Sequence, residues 1–160
     1  MPTYMTGNMS ASKVMAAYID AGFFVSVPFG DGCAYDLVVD IGPTFKRIQV
    51  KTGWHRNDCI AYKGRRRVRD SSHNGMRGYR ADEIDFFAVY YPPTKEIYVV
   101  PRSEQNGDGI LRLGPTLNSQ QKYIKWARDY TWEKHVAELR LLGATEQAKD
   151  AIVKSKKACA

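Results

Sequence analysis

The chain opens and closes on segments of helical period and carries short apolar runs, separated by turn clusters, between them. From Met9 to Ala21 an apolar stripe of Val14, Ala17, Tyr18 and Ala21 predicts a helix, with Ser10 or Ser12 as cap and Gly22 as stop. Phe23 to Phe29 is rich in β formers and predicts a short strand ending near Pro28, before the turn residues of Gly30 to Ala34. "YDLVVDIG" and "FKRIQVKTG", separated by "GPT", predict a hairpin. "IAYKGRRRVR" adds a further strand or ribbon, and the polar, Gly-rich "DSSHNGMRGYR" reads as a loop. "IDFFAVYYP" has the apolar run of a central strand and "EIYVVP" that of its neighbour. A Gly/Asn/Asp-rich loop (Glu104 to Gly109) leads to an expected helix near "NSQQKYIKWARDY", and the end from Lys134 onward can be helical with a basic tail. This order predicts an α/β or α+β domain on a mixed sheet. The 160 residues fit one domain, with a core over about 6–132 and a C-terminal helix and tail over 133–160.

Charge changes this picture. The chain carries +7 at pH 7, and residues 45–80 hold eleven basic residues against Asp58 and Asp70. That segment's excess is larger than the whole chain's, so the charge is segregated, as a phosphate-binding surface requires. Eight of the eleven are arginines, whose planar forks suit phosphates and guanine edges. The expected DNA contacts are Arg47, Trp54, His55, Arg56, Lys63, Arg65, Arg66, Arg67, Arg69, Arg77 and Arg80. Of these, Lys63, Arg65 and Arg67 are expected on one face, and Arg77 and Arg80 on phosphates. Three cysteines without a CxxC pair suggest neither a zinc site nor a disulfide framework and point to a reducing interior. No apolar run approaches 18 residues and no signal peptide is visible, so a cytoplasmic protein without membrane or small-molecule cofactor is expected.

Candidate chemistry sits in the hairpin. Gln49 and Lys51 are two apart and share a strand face, while Ile48 and Val50 point the other way. A hairpin brings Asp36 alongside them, assembling a carboxylate, an amide oxygen and an ammonium. Hard cations such as Mg²⁺ take oxygen ligands, and a nearby ammonium orients a water or stabilises charge on a phosphate. Asp40 reads as a further ligand or as a strand-end acid in a turn. His73, in a polar loop, reads as solvated or touching phosphate rather than as part of a His-Asn nuclease site, and His135 as a helix-surface residue. Tyr123, Trp126 and Tyr130 are spaced as core or interface residues.

These residues resemble the PD-(D/E)xK nuclease superfamily in a form with Gln for the second acid. More narrowly, "VSVPFGDGCAYDLVVD…FKRIQVKTG", "DFFAVYYP…IYVVP" and "LRLG…NSQQKYIKWARDY" resemble the PD-(D/E)xK homing endonucleases of cyanobacterial group I introns, from about Thr6 to Trp132. The resemblance implies a restriction-endonuclease-like mixed sheet flanked by helices, a basic DNA-binding ribbon or loop, and cleavage of both strands of a long duplex site. It also implies Mg²⁺, or another divalent cation such as Mn²⁺, and a homodimer or homotetramer. By the same analogy Asp36 holds the metal, Gln49 is a second ligand, the Val50 carbonyl is an extra one, and Lys51 positions the attacking water. The family's first-helix glutamate falls on Ala11, so weak metal binding and poor cleavage are expected. Two rivals remain: a Holliday-junction resolvase, and a non-catalytic DNA-binding protein on the same frame. An RNA-binding module lacks its aromatic strand signature here.

Overall fold

The computed structural model describes residues 3–30, 32–69, 74–105, 107–115 and 122–158. In chain order the elements are helix α1 (Thr3–Asp20), strands β1 (Phe24–Ser26), β2 (Leu37–Asp40), β3 (Phe45–Thr52), β4 (Trp54–Arg56), β5 (Cys59–Tyr62), β6 (Arg65–Arg69), β7 (Asn74–Gly78), β8 (Phe86–Tyr91), β9 (Glu96–Pro101) and β10 (Gly109–Arg112), then helix α2 (Trp132–Ala158).

A five-stranded mixed sheet, β1-β2-β3-β8-β9, is the centre. Only β3 and β8 run parallel. All six residues of β8 are buried, because both of its faces carry core. Phe86, Ala88 and Tyr90 pack with Val14, Tyr18, Leu37, Ile48, Val50 and Leu139 on the helical face. Phe87, Val89 and Tyr91 pack with Ile60, Tyr62, Tyr79 and Leu111 on the other. There a small sheet, β10-β5-β4, covers the central one, and β6 and β7 form a separate ribbon. The alternation of β3 therefore sorts its residues: Ile48 and Val50 face the helices, and Gln49 and Lys51 face the small sheet and ribbon.

Two glycines hold these layers together. Gly53 joins β3 to β4, and its amide donates to Tyr90 O at 2.8 Å. A Cβ there would come within 2.7 Å of Ile60 Cγ2. Gly64 precedes the ribbon, and a Cβ there would lie 1.7 Å from Gly107 O. The β4–β5 hairpin turns on Asn57 and Asp58, both left-handed at φ 49° and 54°, as a two-residue turn between twisted strands requires.

The hairpin, the central strand and its neighbour match the sequence reading; four expectations change. Ser10 and Ser12 do not cap α1, which begins earlier, at Thr3. Ser10 is buried and bonds to Thr52 Oγ1 at 2.6 Å, while Ser12 Oγ donates to Asn8 O. The stretch read as a loop contains β7, which pairs with β6 despite poor strand formers because Arg66 and Arg77, opposite one another, bind one carboxylate. Residues 122–131 hold no α-helix, only a single 3₁₀ turn over Ala127–Asp129: the Lys125 and Tyr130 carbonyls accept from Arg112 N and Val99 N, so this segment lies along the edges of β10 and β9. In that segment Tyr123 is fully exposed, which leaves the interface alternative for it and removes the core one. His73 and residues 70–72, 116–121 and Cys159 lie outside the described residues.

His135 is the fourth correction. It is buried on α2, with its Nε2 2.8 Å from Tyr18 Oη and its ring edge-on to Phe86. Trp132, His135, Val136 and Leu139 form the helix stripe that meets α1 and the sheet. Burial pulls the imidazole from 6.5 to about 4, so the folded protein keeps it neutral while the unfolded chain protonates below 6.5. Its contribution is complete above pH 6.5 and lost as pH falls to about 4, roughly 3 kcal/mol in all. Urea unfolding at pH 7 and pH 4.5 should show that loss, and His135→Gln should flatten it. Equal stability of the parent at both pH values would refute this.

Candidate active site

Asp36 lies one residue before β2, and its amide donates to Ile48 O at 2.9 Å. Since Leu37 opposes Ile48, the antiparallel register sets Asp36 opposite Gln49. Two donors converge on Asp36 Oδ2: the Val50 amide at 2.8 Å and Gln49 Nε2 at 2.5 Å. Gln49 Nε2 also donates to Val50 O at 3.1 Å. Only the NH₂ end of the amide can face a carboxylate, so the network fixes Gln49 with Oε1 turned away from Asp36. Asp36 Oδ1 accepts no hydrogen bond among the described residues. The carboxylate and amide thus each keep one oxygen free.

Lys51, next on the same face, donates to Tyr79 Oη at 2.9 Å. Burial pulls Lys51 down, partly opposed by the Asp36 charge. Burial likewise pushes Asp36 up against the Val50 amide and Lys51. Each group therefore supports the charged form of the other in a site where both are desolvated.

The free donors are all hard oxygens, which suits a divalent cation such as Mg²⁺ but supplies one formal negative charge. No cluster of three His, Cys, Asp or Glu residues able to hold a metal occurs among the described residues. Asp36 and Gln49 fit a cation whose remaining ligands come from water and substrate phosphates. The Val50 carbonyl already accepts Gln49 Nε2. Asp40 Oδ1 accepts the Gly42 amide at 2.8 Å, the turn role and not the ligand role. Ala11 is half-buried against the helical-face core, beside the Ser10 that contacts Thr52.

The basic residues divide into two sets. On the ribbon, Arg66 and Arg77 are cross-strand partners, and both bind Glu83, at 3.2 Å and 2.6 Å. The Arg80 amide donates to the same carboxylate at 2.8 Å. This holds Glu83 well below the usual carboxylate range, at about 2, chiefly through Arg77. Arg65 and Arg67 alternate to the opposite face and are exposed. Lys63 is exposed just before the ribbon, 3.8 Å from Asp108. Arg47 is committed to Asp85, through its amide at 2.7 Å and its guanidinium at 3.2 Å. Trp54, His55 and Arg56 are exposed on β4, where His55 Nδ1 meets Tyr91 Oη at 3.0 Å. The Arg69 side chain lies outside the described residues. Sequence reasoning missed Tyr79 and Glu83, which only the ribbon's pairing brings to the site.

No helix among the described residues is long and apolar enough to cross a membrane. No curated protein matches the chain. Among solved structures it resembles "The structure of a bacterial homing endonuclease: I-Ssp6803I", with a TM-score of 0.70. The two are 23% identical over 92% of this chain and 99% of that one, a likeness of fold. A family model described as PD-(D/E)XK endonuclease matches residues 1–133, which include Asp36, Gln49, Lys51 and the whole basic segment. The chain belongs to the PD-(D/E)XK endonuclease family.

Proposed function

We propose that this chain is a divalent-metal-dependent endonuclease of double-stranded DNA, of the intron-homing type, acting inside the cell as a symmetric dimer or tetramer. The observation that carries the reading is the Asp36–Gln49–Val50 network beside Lys51, next to a ribbon whose opposite face offers Arg65 and Arg67. The neighbour of the same fold is itself described as a homing endonuclease.

A bound cation would neutralise charge on the scissile phosphate and favour deprotonation of a water. Asp36 Oδ1 and Gln49 Oε1 are the groups that would hold it. Lys51 places a positive charge where the phosphate becomes more negative, in a desolvated site where that charge acts strongly. Arg65 and Arg67, with Lys63, engage the duplex, while Trp54, His55 and Arg56 flank it on the strand that continues β3. A single 18.1 kDa protomer is too small to cover a long site, so paired subunits are the expected working form. With Ala11 in place of a carboxylate, cleavage is expected to be slow.

The test is digestion of long duplex DNA with Mg²⁺ or Mn²⁺, beside a four-way junction. Breaks at one defined duplex position support the reading. Preference for the junction whatever its sequence would favour a resolvase, and tight binding with no cleavage of either would favour a non-catalytic protein.

A further inference from the structure

We propose that Tyr79 is a positioning residue for Lys51: its phenol oxygen fixes the ammonium and ties it to the docked ribbon, a role that rests on the nuclease reading above. Lys51 Nζ donates to Tyr79 Oη at 2.9 Å and lies 5.1 Å from the centroid of that ring. Lys51 forms no ion pair among the described residues. A lysine on a four-carbon stem samples many rotamers, so using its charge at one point requires a group that holds it.

Tyr79 is suited to that task because it is itself immobilised. It is buried, and the Phe87 ring meets it edge-on at 5.3 Å. Its carbonyl accepts Arg102 Nε, and the Arg66 guanidinium lies 6.0 Å from its ring centroid. Burial pushes the phenol up to about 12, so it accepts the hydrogen bond without cancelling the lysine's charge. A phenylalanine would fill the same core position, so the hydroxyl is what packing does not explain. Tyr79 also follows β7 directly, and Glu83 clamps that ribbon through Arg66 and Arg77. Seating of the ribbon on DNA and placement of the lysine are therefore mechanically one unit.

The test uses Tyr79→Phe in an Ala11→Glu chain, keeping the ring and removing the acceptor. The single-turnover cleavage rate should fall roughly tenfold, as for one lost hydrogen bond to a charged group, with duplex affinity and melting temperature unchanged. In protein free of metal and DNA, the Lys51 ammonium signal in NMR should become more mobile and exchange faster with water. Unchanged cleavage, or an equally ordered ammonium, overturns the proposal. So does a parallel loss of affinity and melting temperature, which would mark Tyr79 as a core residue only. If the Ala11→Glu parent cuts no duplex at all, the nuclease reading itself fails and takes this role with it.

Discussion

Ala11→Glu is expected to raise the rate of duplex cleavage by about 10²-fold or more. Charge is the reason. Asp36 is the only carboxylate in the hydrogen-bonded cluster, and Gln49 contributes a neutral oxygen. Cations of the Mg²⁺ type are held by one or two carboxylates plus phosphates, so this site is at the lower bound. The family resemblance sets a glutamate at position 11, on the turn of α1 whose Ser10 contacts Thr52, the residue after Lys51; Ala11 itself packs on the helical face, against a core that includes Val50. A second carboxylate there should also lower the Mg²⁺ concentration for half-maximal cutting. Two neighbouring carboxylates repel without a cation, so Mg²⁺ should raise the melting temperature of Ala11→Glu more than that of the parent. Equal cutting and equal Mg²⁺ response in the two chains would reject this.

The second large effect separates the faces of the ribbon. Arg65→Ala or Arg67→Ala should weaken duplex binding about tenfold or more wherever the side chain reads a base edge. For a phosphate contact, the slope of log affinity against log salt should fall by about 1. Neither change should alter melting, because both side chains are exposed. Glu83→Gln acts differently. It removes the charge shared by Arg66 and Arg77, at 3.2 Å and 2.6 Å, on a side chain only 10% exposed. A loss of about 2 kcal/mol, or roughly 5 °C in melting temperature, is expected, with weaker DNA binding as the ribbon undocks. Calorimetry and binding isotherms across a salt series read both effects. An Arg66→Ala chain that loses as much affinity as Arg65→Ala, with melting intact, would show that its pairing with Glu83 does not withhold it from DNA.

Local pattern carried much of this. Asp36, Gln49 and Lys51 were legible because period-two alternation and a short turn fix a hairpin's register, and register alone sets Asp36 opposite Gln49. The alternation within "RRRVR" likewise anticipates that Arg65 and Arg67 share a face. What escaped depends on long-range contact. Met76 and its neighbours form a strand by pairing with β6, where Arg66 and Arg77 meet Glu83, a residue beyond the strand itself. The role of Arg66 and Arg77 as internal pairs was hidden for the same reason. Residues 122–131 have helical composition, yet their backbone bonds to β9 and β10. For His135 the signal is present in the sequence: with Trp132, Val136 and Leu139 it completes an apolar helix stripe.

The most direct test of the central claim is duplex cleavage by the Ala11→Glu chain with and without Asp36→Asn, with binding to the same duplex measured in parallel. Val50 N and Gln49 Nε2 both donate to Oδ2, so an asparagine would keep its oxygen there and place its NH₂ at the Oδ1 position. The hairpin would stay intact while the free oxygen became a donor, which a hard cation cannot use. The expected result is a loss of cutting of about 10²–10³ with melting and DNA affinity nearly unchanged. Cutting that survives Asp36→Asn near the parental rate would contradict the assignment of this cluster as the nuclease centre.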